Sequence, residues 1–143
     1  MSNLYAIVRI RGSVNARKVI DSTMEMLRLK KIGNCMIYPK NPVIEGMLRK
    51  SSTFVTWGEI KDDVLLKLVS KRGRLQGDKK LDDKKAKEIA GKLGKEGTKK
   101  LEIKLPFRLS PPSKGYNTVK APFPKGDAGY RGEKINDLLE RMI

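Results

Sequence analysis

LYAIVRI, residues Leu4 to Ile10, is the stretch from which the fold is read. It is rich in β-branched and aromatic residues and is bounded by Gly12, so it reads as a strand. Two similar runs follow. NCMIY (Asn34 to Tyr38) is short and continuously apolar and reads as a central strand. TFVTW (Thr53 to Trp57) alternates β-branched and aromatic residues and is closed by Gly58. Helical spacing fills both gaps. Between Asn15, placed as a cap, and Gly33, placed as a stop, Val19, Ile20, Thr23, Met24, Met26 and Leu27 recur at three and four residues. Asn41 followed by Pro42 is a helix start, because the amide that proline lacks has no partner in a first turn. Val43, Ile44, Met47 and Leu48 then form one face of a helix through Arg49.

The first sixty residues thus predict β-α-β-α-β, an α+β core with a small antiparallel sheet. It is related to the ferredoxin-like plan with fewer strands, and its helices cover one face of the sheet. Beyond it, Asp62 or Asp63 can cap a helix carrying Val64, Leu65, Leu68 and Val69. Lys71 to Lys80 is a basic connector. Residues 81–97 read as a charged helix with acid-first pairs Asp83–Lys87 and Glu88–Lys92. Leu101, Ile103 and Leu105 alternate as a strand. Pro106 to Gly129 carries five prolines and no periodicity and reads as a long basic loop, of which Pro106 to Lys125 is expected to be ordered by RNA rather than by the protein. Ile135, Leu138, Leu139 and Met142 form a terminal amphipathic helix expected to pack on the core. The organisation is a core domain, residues 1–60, and a C-terminal α+β appendage, residues 61–143, of helices, loop and terminal helix.

At 143 residues the chain has room for one modest core. Its 32 Lys and Arg against 16 Asp and Glu give a net charge of +16, a balance that favours a polyanionic partner. No histidine is present, which excludes Ser-His-Asp and Cys-His catalysis and histidine zinc sites. One cysteine, Cys35, excludes an internal disulfide and a cysteine metal cluster. No run approaches the ~20 apolar residues of a membrane span, and MSNLYAIVRIRG has no signal-peptide pattern. The chain reads as cytoplasmic.

The charge is local. From Lys99 to Lys125 seven cations face one acid, Glu102, and Phe107, Tyr116 and Phe123 sit among them. Phosphate neutralisation with aromatic or arginine stacking is how proteins hold irregular RNA. Arg9 and Arg11 alternate with Val8 and Ile10 on one face of the first strand. Arg28, Lys30 and Lys31 crowd the end of the first helix, and Arg49 and Lys50 the end of the second. Helix dipoles also favour cations there, but together the clusters make a basic end suited to phosphates. The candidate RNA contacts are Arg9, Arg11, Arg28, Lys30, Lys31, Arg49, Lys50, Arg72, Arg74, Arg108, Lys114, Tyr116, Lys120 and Lys125.

Catalytic chemistry finds little support. Cys35 lies in an apolar strand, where a buried, inert thiol is expected. GKLGKEGTKK, Gly91 to Lys100, does not match a phosphate loop, and no apolar strand precedes it. The carboxylate pairs Asp62/Asp63 and Asp82/Asp83 fall at helix starts, where capping explains them. No cofactor, metal or small-molecule substrate is expected.

Four stretches together resemble the large-subunit ribosomal protein L-thirty family (universal uL-thirty), in its long archaeal-type form. They are LYAIVRIRG (Leu4 to Gly12), MLRLKKIGNC (Met26 to Cys35), NPVIEGMLRKSSTFVTWGEI (Asn41 to Ile60) and KGDAGYRGEKINDLLERM (Lys125 to Met142). The match spans nearly the whole chain and is loose at 75–105. The family's short bacterial members correspond to the first β-α-β-α-β unit, and its eukaryotic members carry a basic N-terminal extension that this sequence lacks. The resemblance implies an archaeal, non-enzymatic constituent of the large subunit that binds large-subunit rRNA close to 5S rRNA, beside neighbouring ribosomal proteins. It also makes Arg9, Arg11, Arg28, Lys30, Lys31, Arg49 and Lys50, which fall in the matching motifs, rRNA-contact candidates. The rival reading is a free-standing RNA-binding or RNA-chaperone module, which shares the charge but lacks the family's motifs.

Overall fold

The computed structural model describes residues 4–12, 17–72, 83–96, 107–110, 112–113, 115, 125–126 and 128–143. Strand β1 (Leu4–Arg9) is buried along its whole length and is the centre of the sheet. Strand β2 (Asn34–Pro39) pairs with it antiparallel on one side, Ile7 opposite Met36, and β3 (Val55–Glu59) antiparallel on the other, Ile7 opposite Trp57. Two short strands complete five: β4 (Phe107–Arg108), antiparallel to β2, and β5 (Gly129–Tyr130), parallel to β3. The order is β4-β2-β1-β3-β5. The fold is α+β, as the sequence predicts; β2 is an interior strand as expected, flanked by β1 and β4, with β1 at the middle of the five.

Helices α1 (Lys18–Met26) and α2 (Pro42–Lys50) link the first three strands. Asn41 caps α2 as expected, its side chain accepting from the Val43 amide at 2.9 Å with Pro42 in the first turn. α1 is shorter than its apolar spacing suggests. Val19 and Met26 are exposed, and burial is confined to Thr23 and Met24, with Leu27 just beyond the helix. Asn15, the expected cap, lies outside the described residues. Gly33 does not end the helix; it sits in the turn that enters β2.

Side chains of β1 alternate between two apolar layers. Tyr5 and Ile7, with Met36, Val55 and Trp57, pack under Met24, Leu27 and Leu48 of the α1–α2 side. Leu4, Ala6 and Val8, with Cys35 and Ile37, face a second layer. That layer is built by α3 (Asp62–Arg72), α4 (Asp83–Glu96) and α5 (Ile135–Met142), through Val64, Leu68, Ile89, Ile135, Leu138 and Leu139. The expectation of one covered face is therefore corrected: both faces are covered, the second by residues after 60. An unbroken apolar strand such as Leu4–Val8 is what such double burial requires.

β3 also departs from its expected bounds, running through Gly58 instead of stopping before it. A Cβ at Gly58 would fall on the Gly132 carbonyl oxygen, so the glycine admits the C-terminal segment to the sheet. The largest correction is at 106–129. Phe107 is fully buried, the Ser110 amide donates to Met142 O at 3.2 Å, and the Ser113 amide donates to Arg141 O at 3.1 Å. The start of this stretch is held by the protein, because one phenylalanine finds the core. A two-residue strand is too short to show as alternation. The strand expected at 101–105 lies outside the described residues.

Candidate nucleic-acid interface

The chain path gathers backbone ends of one kind at one end of the sheet. β1 finishes there, and β2 and β3 start there, since Val8 lies opposite Cys35 and Arg9 opposite Val55. The C-termini of α1 and α2 lead into those starts. The end of α3 arrives too, as the Arg72 guanidinium donates to Ser110 Oγ at 2.6 Å beside β4. Met142 O, at the end of α5, accepts from the same Ser110. Helix C-termini carry partial negative charge, which makes cations favourable in their last turns. Arg49 and Lys50 occupy those positions in α2, Lys71 and Arg72 in α3, and Arg141 in α5.

Most sequence-predicted contacts meet here. Arg28, Lys30, Lys31, Arg49, Lys50 and Arg108 are exposed at this basic end, and Arg11 and Arg72 are half-buried. Arg11 lies over the Phe54 ring, 5.3 Å from its centroid, within cation–π range. Lys125 is exposed ahead of β5. Arg74, Lys114, Tyr116 and Lys120 lie outside the described residues, as does Phe123.

Arg9 is the correction. It is 1% exposed, so the pair of guanidinium groups expected on one face of β1 does not form there. Its Nε donates to Arg11 O at 2.8 Å, and its Nη1 to Leu29 O at 2.8 Å and Lys30 O at 2.9 Å. Burial lowers its pKa from the usual arginine value and the Asp21 charge works against that, but a guanidinium bonded to three carbonyls stays charged. Arg9 holds backbone and does not face solvent. Phe107, likewise expected among the RNA-facing aromatics, is core. The strand period contains the signal for Arg9, which follows Tyr5 and Ile7 onto the α1 side.

Sequence reasoning missed a further anchor. Tyr38 of β2 donates its hydroxyl to Leu27 O at 3.0 Å. Burial raises its pKa, with the nearby Arg28 charge opposing.

The opposite end of the sheet is different. The Tyr130 hydroxyl lies 2.7 and 2.8 Å from the two carboxylate oxygens of Glu59, and Lys40 Nζ lies 3.0 Å from one of them. The Tyr5 hydroxyl donates to Glu45 at 2.9 Å, and Lys40 sits 5.4 Å from the Tyr5 ring centroid. Burial would raise the Glu59 carboxyl, but the hydrogen bonds from Tyr130 and Lys40 outweigh it and hold the group below its ordinary value. The bond to Glu59, then burial, pushes the Tyr130 phenol up to about 12. Charges here are spent on one another.

Among the described residues no group of acidic or cysteine side chains is placed to hold a metal. No described helix is long and apolar enough to cross a membrane. Burial pushes the Cys35 thiol up to about 12, opposed in part by a hydrogen bond with the Ile7 backbone, so it stays protonated and unreactive.

A sequence model of the family described as Ribosomal protein L30p/L7e matches residues 5–55. Proteins named large ribosomal subunit protein uL30 match almost end to end. That of Methanosphaera stadtmanae is 42% identical, over 98% of this chain and 100% of the relative. That of Nanoarchaeum equitans is 46% identical, over 98% and 99%. That of Staphylothermus marinus is 40% identical, over 100% of both.

Proposed function

This chain belongs to the uL30 family of archaeal large-subunit ribosomal proteins, and from that premise we propose that it braces folded rRNA through the basic end of its sheet. It is a structural constituent of the large ribosomal subunit, working in the cytoplasm as part of the ribosome beside rRNA and other ribosomal proteins, and it is not an enzyme. The observation that carries the rRNA reading is the contrast of charge. Arg28, Lys30, Lys31, Arg49, Lys50 and Arg108 are exposed together without a described ion pair, while Lys40 and Glu59 at the far end are paired. Such a surface gains from counterion release when it meets phosphates. Proximity to 5S rRNA is part of the proposal, resting on the family resemblance.

Binding of the purified chain to protein-free large-subunit rRNA, followed across salt concentration, tests this. The expected slope of log K against log salt is about −0.7 to −0.9 per phosphate contacted, and so about −3 or steeper for four or more contacts. A flat response would remove the electrostatic reading. Sedimentation in high salt separates the rival: migration with the large subunit supports the ribosomal role, and a free pool supports a free-standing module.

We also propose that residues 1–60 are the core unit and residues 61–143 an appendage packed on it. A 1–60 fragment should keep helix and strand signals in circular dichroism. It should also bind a hydrophobic dye on the face that Leu138 and Leu139 cover. A fragment without secondary structure would refute that division.

A further inference from the structure

The turn that follows α1 is held from inside by the sheet. Arg28 has φ 63, the sole positive φ at a non-glycine among the described residues. The Arg28 amide donates to Glu25 O at 3.0 Å and the Leu29 amide to Met24 O at 2.9 Å. This is the Schellman closure of a helix, whose left-handed position is usually glycine because a Cβ there costs energy. Three of the next carbonyls are then gripped by side chains of the sheet: Leu27 O by Tyr38, and Leu29 O and Lys30 O by the buried Arg9. Leu29 itself is fully buried, while Arg28, Lys30 and Lys31 point to solvent.

We infer that Arg9, Tyr38 and the left-handed Arg28 form a clamp that presents the cations of residues 28–31 in one fixed arrangement to consecutive phosphates of an RNA backbone. Arg9 and Tyr38 are positioning residues, and Arg28 is both the kink and a contact. The physical reason is that a long cationic side chain on a loose turn must lose backbone freedom on binding, whereas here that loss is already incurred on folding. A glycine would make the turn at lower strain, so an arginine at this position is accounted for by its charge. The clamp rests on the rRNA reading above and assigns its geometry.

The test uses the full chain and protein-free large-subunit rRNA. Arg28→Gly should raise Tm by about 2 °C, because the left-handed strain is relieved. It should also make the salt slope shallower by about 0.7–0.9, one phosphate contact. Arg28→Lys should leave both near wild type. Arg9→Met, measured well below its Tm where circular dichroism shows it folded, should lose more than one contact's worth of slope although it removes no exposed charge. Arg9→Lys, which can still donate to carbonyls, should restore part of that slope. An Arg28→Gly protein with wild-type slope would overturn the inference, as would a folded Arg9→Met protein with wild-type slope. If Arg9→Met does not fold, Tyr38→Phe takes its place, with the same direction and a smaller loss. Failure of the rRNA reading looks different: the wild-type chain itself would then bind without salt dependence.

Discussion

The two ends of the sheet are built from similar residues and put them to opposite use. At the end where β2 and β3 begin, cations crowd the last turns of α2 and α3, with Arg49, Lys50 and Lys71 exposed and Arg72 half-buried. At the other, Lys40, Glu45, Glu59, Tyr5 and Tyr130 satisfy one another within hydrogen-bond distance. The difference follows from the direction of the helices. α2 and α3 both start near the paired end and finish near the basic one, so their dipoles draw Glu45, Asp62 and Asp63 to the first and Arg49, Lys50, Lys71 and Arg72 to the second. A polarity that stabilises the helices also sorts the charge of the surface. The proposed rRNA contact rests on that sorted charge.

The largest effect that would break this contrast is charge reversal at the basic end. Arg28→Glu with Lys31→Glu should lower rRNA affinity roughly 10- to 100-fold, through lost contacts and added repulsion. The circular dichroism spectrum should be unchanged, since both side chains are exposed. Lys40→Glu at the other end, with one charge reversed, should change affinity far less. Comparable losses at both ends would dissolve the distinction, and unfolding of the double variant would make its cluster structural.

A smaller effect belongs to the paired end. Tyr130→Phe should cost about 0.5–1.5 kcal/mol of stability, the worth of a partly exposed hydrogen bond, and leave rRNA affinity alone. Its pH signature has a definite sign. Glu59 titrates lower in the folded chain, so its contribution is complete above its ordinary value of 4.5 and fades as pH falls through the folded one. Tyr130 titrates higher when folded, so its contribution is complete below 10.0 and is lost as pH rises toward about 12. Urea titrations of wild type and Tyr130→Phe between acid and alkali should converge at both extremes. A constant difference across that range would mean the network does not bear on stability as described.

The smallest effect expected is at neither end. Cys35→Ala removes a buried sulfur from the layer under α3 and α5, so Tm should fall by a few degrees at most, about 1 kcal/mol. Incorporation into large subunits should be unaffected. Loss of incorporation in a folded variant would reopen thiol chemistry.

Much of this was legible in advance, for reasons that differ along the chain. Asn41-Pro42 announces α2 because capping is a local matter between neighbours. The apolar runs from Leu4 and Asn34 announce their strands because burial on both faces needs consecutive apolar residues, and TFVTW announces the third through its β-branched and aromatic residues, two residues early. β4 and β5 were hidden, being two residues each and made by partners far away in the chain. Arg28 was hidden too: nothing in MLRLKK marks a left-handed arginine, and Gly33 offered a more ordinary stop.

By itself the sequence determined the α+β class, the +16 charge that favours a polyanionic partner, the absence of histidine chemistry and the clusters that resemble a ribosomal family. These depend on composition and on spacing within one element. Only the tertiary structure decided what covers each cation. Arg9 and Arg11 are two residues apart and chemically identical, yet one is sealed against the carbonyls of residues 29 and 30 and the other rests over Phe54 with part of its surface in solvent. Their fates diverge because β1 ends at Arg9. Inside the strand, a side chain's face is set by the pleat and covered by whatever helix packs there; two residues further on, outside the strand pairing, the Arg11 backbone is held by Phe54 O and by Arg9, and its side chain lies over the Phe54 ring instead of under a helix.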